Sequence, residues 1–244
     1  MAVYHIEFRI RGYAKRYAKT LIYDVGRRFR VKGVTRKHVV PHISLYGPFL
    51  ARQQRQVIAG VVRVCSKYKK VPFTFEGFNY FDNSTNKVIY LDITPSQTLI
   101  NLRFELAKAL LPLTFSKSKE DQKTKEEFKF HSTIAFKDID AKFNDIWQYI
   151  GEKSKPKIKQ HLLRVTIIKN SKILYEYDLI QQKLLNRRQA LNRSIFMETI
   201  RRLKADSKED RDGFVEEERD NEQGLDGRGK TILERIRDFL WPVA

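Results

Sequence analysis

One four-residue pattern occurs twice in this chain: a histidine, any residue, a hydroxyl residue and an aliphatic residue. The copies are His42-Ile43-Ser44-Leu45 and His131-Ser132-Thr133-Ile134. Each sits in a short apolar segment that reads as a β-strand. Strand side chains at i and i+2 share a face, so His42 projects beside Ser44 and His131 beside Thr133. Each copy is followed by a helical pattern and then two strand patterns. That order predicts two similar lobes, each presenting one histidine strand to a shared cleft.

The elements around the motifs follow from periodicity. Residues 3–10 alternate, with Tyr4, Ile6, Phe8 and Ile10 on one face, and read as a strand. Residues 13–30 place Tyr13, Tyr17, Leu21, Val25 and Phe29 on one helical face. The first motif strand spans 38–46 and is expected to end at Gly47-Pro48. Val57 to Tyr68 reads as a helix, followed by two strands carrying Phe73, Phe75 and Phe78, then Val88 to Ile93. Ser96 caps a helix whose face is Leu99, Leu102, Leu106 and Leu110. Lys117 to Glu127 is charged, lacks apolar residues and is expected to be a mobile loop. The second motif strand spans 128–136, a short helix carries Phe143, Ile146, Trp147 and Ile150, and a hairpin turns at Asn170-Ser171.

The expected fold is therefore α+β and bilobal, with two pseudo-symmetric lobes of antiparallel sheet flanking a central cleft, helices outside, and a C-terminal helical extension. The bilobal domain covers residues 1–180, with lobes near 1–95 and 96–180 and strand exchange between them as an option. Residues 181–204 continue as a helix with Leu191, Ile195, Ile200 and Leu203 on one side. Residues 205–229 hold ten acidic and four basic residues and read as a flexible linker. Residues 230–244 form an amphipathic helix through Ile232, Leu233, Ile236, Phe239 and Leu240. That helix either docks on its own domain or mediates self-association or partner binding.

Charge narrows the partner. The net charge is +19, and residues 1–180 hold 34 Lys and Arg against 16 Asp and Glu. A basic field of that size attracts polyanions, nucleic acid first. The single cysteine, Cys65, excludes an intrachain disulfide framework and a cysteine metal cluster, and its apolar helical setting reads as core. The chain has no apolar run of the roughly 18 residues a membrane span needs, and residues 1–10 lack the apolar centre of a signal peptide. A cytoplasmic protein without a membrane partner is expected.

The motif pair suits chemistry at a phosphodiester. Displacement there needs a base for the nucleophile, an acid for the leaving oxygen and donors for the nonbridging oxygens. Histidine, with an ordinary pKa of about 6.5, serves as either base or acid, and Ser or Thr can donate to phosphate. Two such histidines permit the reaction without a cofactor or a metal. His5, His38 and His161 show no carboxylate or cysteine at ligand spacing, so no metal site is expected. Tyr46, two residues beyond Ser44, is a candidate for base stacking or a cleft wall, and Lys129, two before His131, for phosphate pairing or plain solvation.

The stretches 41–49 (PHISLYGPF), 131–136 (HSTIAF) and 172–178 (KILYEYD) resemble the 2H phosphoesterase superfamily, which includes RNA 2′,3′-cyclic phosphodiesterases and 2′-5′ RNA ligase-like proteins. The last stretch is similar to an archaeal-type branch. The resemblance covers about residues 1–180. It implies two antiparallel sheets flanking a cleft, His131 as the base that activates water, His42 as the acid that protonates the departing 3′ oxygen, and Ser44 and Thr133 as phosphate ligands. It implies hydrolysis of a 2′,3′-cyclic phosphate on RNA or a nucleotide to a 2′-phosphate, with 2′-5′ ligation as the reverse. Ser44 stands where threonine is more usual, no arginine-rich strand precedes the second motif, and the last 64 residues lie outside the minimal core. The alternative is a catalytically weak RNA-binding protein on the same fold.

Overall fold

The computed structural model describes residues 1–33, 40–83, 86–116, 118–153 and 155–212. His38, most of the expected acidic linker and the expected helix 230–244 lie outside the described residues. Nine strands form two antiparallel sheets among those described. β1 (Ala2–Arg9), β2 (His42–Ala51), β7 (Arg164–Lys169), β8 (Lys172–Asp178) and β9 (Lys183–Asn186) make a five-stranded sheet in the order β2-β1-β7-β8-β9. β3 (Val71–Asn83), β4 (Asn86–Pro95), β5 (His131–Phe136) and β6 (Lys157–Leu162) make a four-stranded sheet in the order β5-β4-β3-β6. The sheets do not follow the chain halves. Strands between residues 71 and 162 form one, while those of 2–51 and 164–186 meet in the other, so the division near residue 95 is not a structural boundary.

The helices tie the sheets together. They are α1 (Gly12–Arg28), α2 (Gln54–Cys65), α3 (Gln97–Leu110), α4 (Phe143–Gly151), α5 (Arg187–Ala190) and α6 (Arg193–Asp212). α1 contacts β5 of the other sheet, and α3 packs on α2, β2 and β3. α3 begins where its sequence says: the Ser96 side chain accepts from Leu99 N, and Leu99, Leu102, Leu106 and Leu110 are fully buried. α1 is rotated from the expected face. It buries Ala14, Ala18, Leu21, Ile22 and Val25, while Tyr13 stays exposed. Two alanines on the buried side let the helix axis approach, and a tyrosine there would hold it away.

Three further differences have local causes. β2 does not stop at Gly47-Pro48 but runs on to Ala51 through a register shift against β1 between Tyr4 and Ile6. Pro48, which lacks an N–H, sits at that bulge, and Gly47 supplies a φ of +104°. β6 was not expected. Its alternation exposes Lys157, Lys159 and His161 and turns Ile158, Gln160 and Leu162 inward, the charged pattern of an edge strand. The expected helix 181–204 begins instead as the strand β9 and is broken at Leu191, which is exposed, and α6 continues through 205–212 where a linker was expected.

The described part of the charged segment, residues 118–127, is held down rather than loose. Asp121 is buried and accepts hydrogen bonds from Gly47 N at 2.9 Å, Ser118 Oγ at 2.9 Å and Arg103 Nη2 at 3.3 Å. The Arg103 guanidinium is equally buried, against the rings of Phe104 and Phe128. A single inward acid among exposed charges carries no periodic signal. Asp121→Ala leaves the Arg103 charge buried without its partner, and we expect it to cost about 3–5 kcal/mol in denaturant unfolding. A loss under about 1 kcal/mol would show that the pair does not anchor the segment.

Candidate functional site

β1 has two faces. Tyr4, Ile6 and Phe8 point into a core, and His5, Glu7 and Arg9 line a cleft between the sheets. The cleft has a volume of about 880 Å³. One sheet contributes His5, Glu7, Arg9 and His42, and the other contributes Phe81, His131 and Thr133. The two motif histidines thus reach one cleft from two sheets, although 88 residues separate them in the chain.

The histidines are held alike. His42 Nδ1 donates to the carbonyl of Val40 at 2.9 Å, and His131 Nδ1 donates to the carbonyl of Lys129 at 2.9 Å. Each ring is clamped by the backbone two residues upstream. The clamp fixes the proton on Nδ1 and leaves Nε2 to face other groups. His131 packs edge-on to Phe81 with centroids 5.0 Å apart and lies 5.1 Å from Tyr90. Burial lowers its pKa below the ordinary value. The bond to Lys129 and the charge of Glu120 oppose this shift, while His42 and Lys123 add to it.

A second cluster surrounds His42. Glu7 Oε2 lies 3.9 Å from His42 Nε2 and 3.5 Å from His5 Nδ1. His5 and His42 meet edge to face with centroids 5.6 Å apart. His5 Nε2 is 3.0 Å from Ser44 Oγ. Burial, then the charge of His42, lowers the His5 pKa to about 4. Burial raises the Glu7 carboxyl above its usual range, against the pull of His42 and Arg9. His5, Glu7 and His42 each offer a ligand atom within 4.8 Å of the others, which corrects the expectation that His5 has no carboxylate in reach. The missed signal is His5-x-Glu7-x-Arg9, the polar face of a strand whose apolar face was the one read.

The remaining expected site residues divide. Thr133 lines the cleft, and Ser44 is half-buried and turned to His5. Tyr46 is not available to a base: it is fully buried, with its hydroxyl 3.0 Å from Thr114 Oγ1. The register shift just past Ser44 ends the alternation and turns Tyr46 into the core. Lys129 is exposed and precedes β5 rather than sharing its face, and its contribution is the carbonyl that holds His131. Cations absent from the expected set do line the cleft: Arg9, Lys172 and Arg187, the last from α5 beyond the expected bilobal domain.

Among the described residues no helix is long and apolar enough to cross a membrane. No curated protein matches the chain. Solved structures that this chain is similar to include Kluyveromyces marxianus Usb1 at 8% identity, covering 75% of this chain and 97% of that one with a TM-score of 0.43. The Thermus thermophilus protein TT0787 is 13% identical, covering 73% and 98% with a TM-score of 0.48. Escherichia coli LigT, solved with 3′-AMP, is 12% identical, covering 72% and 97% with a TM-score of 0.47. The model of the 2′-5′ RNA ligase superfamily matches residues 19–172, well over half of the chain and both histidine motifs. This chain belongs to the 2′-5′ RNA ligase superfamily, the 2H phosphoesterases, whose members are phosphodiesterases or ligases.

Proposed function

We propose that the protein hydrolyses a 2′,3′-cyclic phosphate at an RNA end or on a nucleotide and leaves a 2′-phosphate. The observation that carries this is the matched clamp: two histidines, one from each sheet, each with Nδ1 tied to a carbonyl and Nε2 left for chemistry. Neutral His131 takes a proton from water at Nε2 as the water oxygen attacks phosphorus. The bond from phosphorus to O3′ breaks, and protonated His42 gives its Nε2 proton to that oxygen. The lowered pKa of His131 keeps it neutral and so suited to the base. Glu7, when ionised, stabilises positive charge on His42. The Thr133 hydroxyl binds a nonbridging oxygen. Ser44 does the same when His5 donates to it through Nε2, which leaves the serine proton for phosphate. Arg9, Lys172 and Arg187 supply the positive lining that favours RNA.

With a 5′-hydroxyl in place of water, the same two groups ligate: His131 takes the hydroxyl proton as that oxygen attacks phosphorus, the bond to O3′ breaks, His42 protonates O3′, and a 2′-5′ linkage remains. The two histidines perform both proton transfers, so EDTA should not reduce the rate. The test is incubation of the chain with 2′,3′-cyclic AMP and with an oligonucleotide ending in a cyclic phosphate. Turnover is expected, and tight binding without turnover would instead favour an RNA-binding protein on this fold.

The pH profile gives a signed prediction. The base works only when neutral, so the rate rises with pH as His131 loses its proton. Because burial lowers that pKa, the acidic limb should lie below 6.5. Phe81→Ala admits water beside His131 and should move the limb up toward 6.5. A limb that stays put in the variant would separate His131 from the base.

A further inference from the structure

We propose that His5, Glu7 and His42 form a zinc site whose occupation switches the enzyme off. Three ligand atoms converge: His5 Nδ1, Glu7 Oε2 and His42 Nε2. Glu7 Oε2 stands 3.5 Å from one nitrogen and 3.9 Å from the other. Ligands about 2.0–2.1 Å from a tetrahedral zinc stand roughly 3.3 Å apart, so small side-chain rotations close the set.

The outer contacts point the same way. A metal-binding histidine donates its second ring N–H to a neighbour, which fixes the ring and its tautomer. Both histidines here have that neighbour in place: His42 Nδ1 donates to the Val40 carbonyl, and His5 Nε2 faces Ser44 Oγ at 3.0 Å. The other Glu7 oxygen, Oε1, faces Arg9 Nε at 3.7 Å, which leaves Oε2 for the metal. All three ligands line the open cleft, so an ion has a path in and a fourth position remains for water. Two imidazoles and one carboxylate suit zinc better than magnesium or calcium, which prefer oxygen.

The inhibitory consequence rests on the proposed function. Zinc coordinated to His42 Nε2 occupies the atom that would carry the proton to O3′. The site itself does not depend on that role, and binding and turnover are measured separately.

Metal-stripped full chain is titrated with zinc chloride by calorimetry, and cobalt(II) is used as a visible-absorption probe. One equivalent should bind, and Glu7→Gln and His5→Gln should each weaken binding at least tenfold, while His131→Ala binds as the parent does. Glu7→Gln keeps the side-chain shape and decides the matter if the His5 variant does not fold. No saturable binding, or equal binding in the Glu7 and His5 variants, overturns the site. Zinc should then abolish cyclic-phosphate turnover over the range in which it binds, and EDTA should restore it. Full occupation with undiminished turnover would overturn the switch and count against His42 as the acid, with the metal site still standing.

Discussion

Replacing His42 or His131 with alanine is expected to lower the rate of 2′,3′-cyclic phosphate hydrolysis by roughly 10²- to 10⁴-fold each, the usual worth of a positioned acid or base. The loss should appear in kcat, because proton transfer belongs to the transition state rather than to substrate binding. The double variant should be little worse than either single one, since acid and base act as one unit. The fold should survive both changes. Each ring is half-buried at the cleft and makes one backbone bond through Nδ1. Circular dichroism and a melting curve check this. Turnover retained in both single variants would remove the histidines from the chemistry.

The second large effect is on stability. Arg164→Ala is expected to destabilise the chain by about 3–5 kcal/mol, because it leaves the Asp178 carboxylate buried without its cation, while Glu176 keeps Arg11. Arg164 on β7 is almost wholly buried, and so are Glu176 and Asp178 on β8. Its Nε donates to Asp178 Oδ2 at 2.8 Å, and its Nη2 donates to Thr199 Oγ1 on α6 at 2.7 Å and to the Ile195 carbonyl at 3.1 Å. Thr199 in turn donates to Asp178. Arg11 joins the network through both oxygens of Glu176, and Arg11 and Arg164 lie over the Phe196 ring. This network fixes α6 on the five-stranded sheet.

Thr199→Val removes only one hydroxyl from the network and should cost about 1–3 kcal/mol. For a chain of this size 1 kcal/mol moves Tm by roughly 2–4 °C, so Arg164→Ala should lower it by about 6–20 °C. A change within about 0.5 kcal/mol, as for a surface substitution, would show that the network does not hold the helix.

The expected α+β architecture, the two motif strands, the α3 cap and the Leu99 to Leu110 face were legible because each rests on local periodicity or on a capping residue. What was not legible depends on pairing between distant strands. Which sheet takes β7 is decided by β1, more than 150 residues earlier, as Tyr4 pairs with Lys169. Tyr46 looked like a site residue because alternation was extended past Ser44, and the register shift against β1 is invisible without the partner strand. His5 and Glu7 were overlooked for the opposite reason. A central strand has two covered faces, and its polar residues then have nowhere to go but a cleft. Asp121, Arg164 and Asp178 are charges that burial in pairs makes structural, and single-residue chemistry does not distinguish them from exposed ones.

The most direct measurement follows the phosphorus. An oligoribonucleotide ending in a 2′,3′-cyclic phosphate is incubated with the full chain in EDTA, and the product is identified by ³¹P nuclear magnetic resonance. With His131 activating water and His42 protonating O3′, the account predicts a terminal 2′-phosphate and a free 3′-hydroxyl. A 3′-phosphate product, or a cyclic phosphate left intact by protein that binds it, would contradict it.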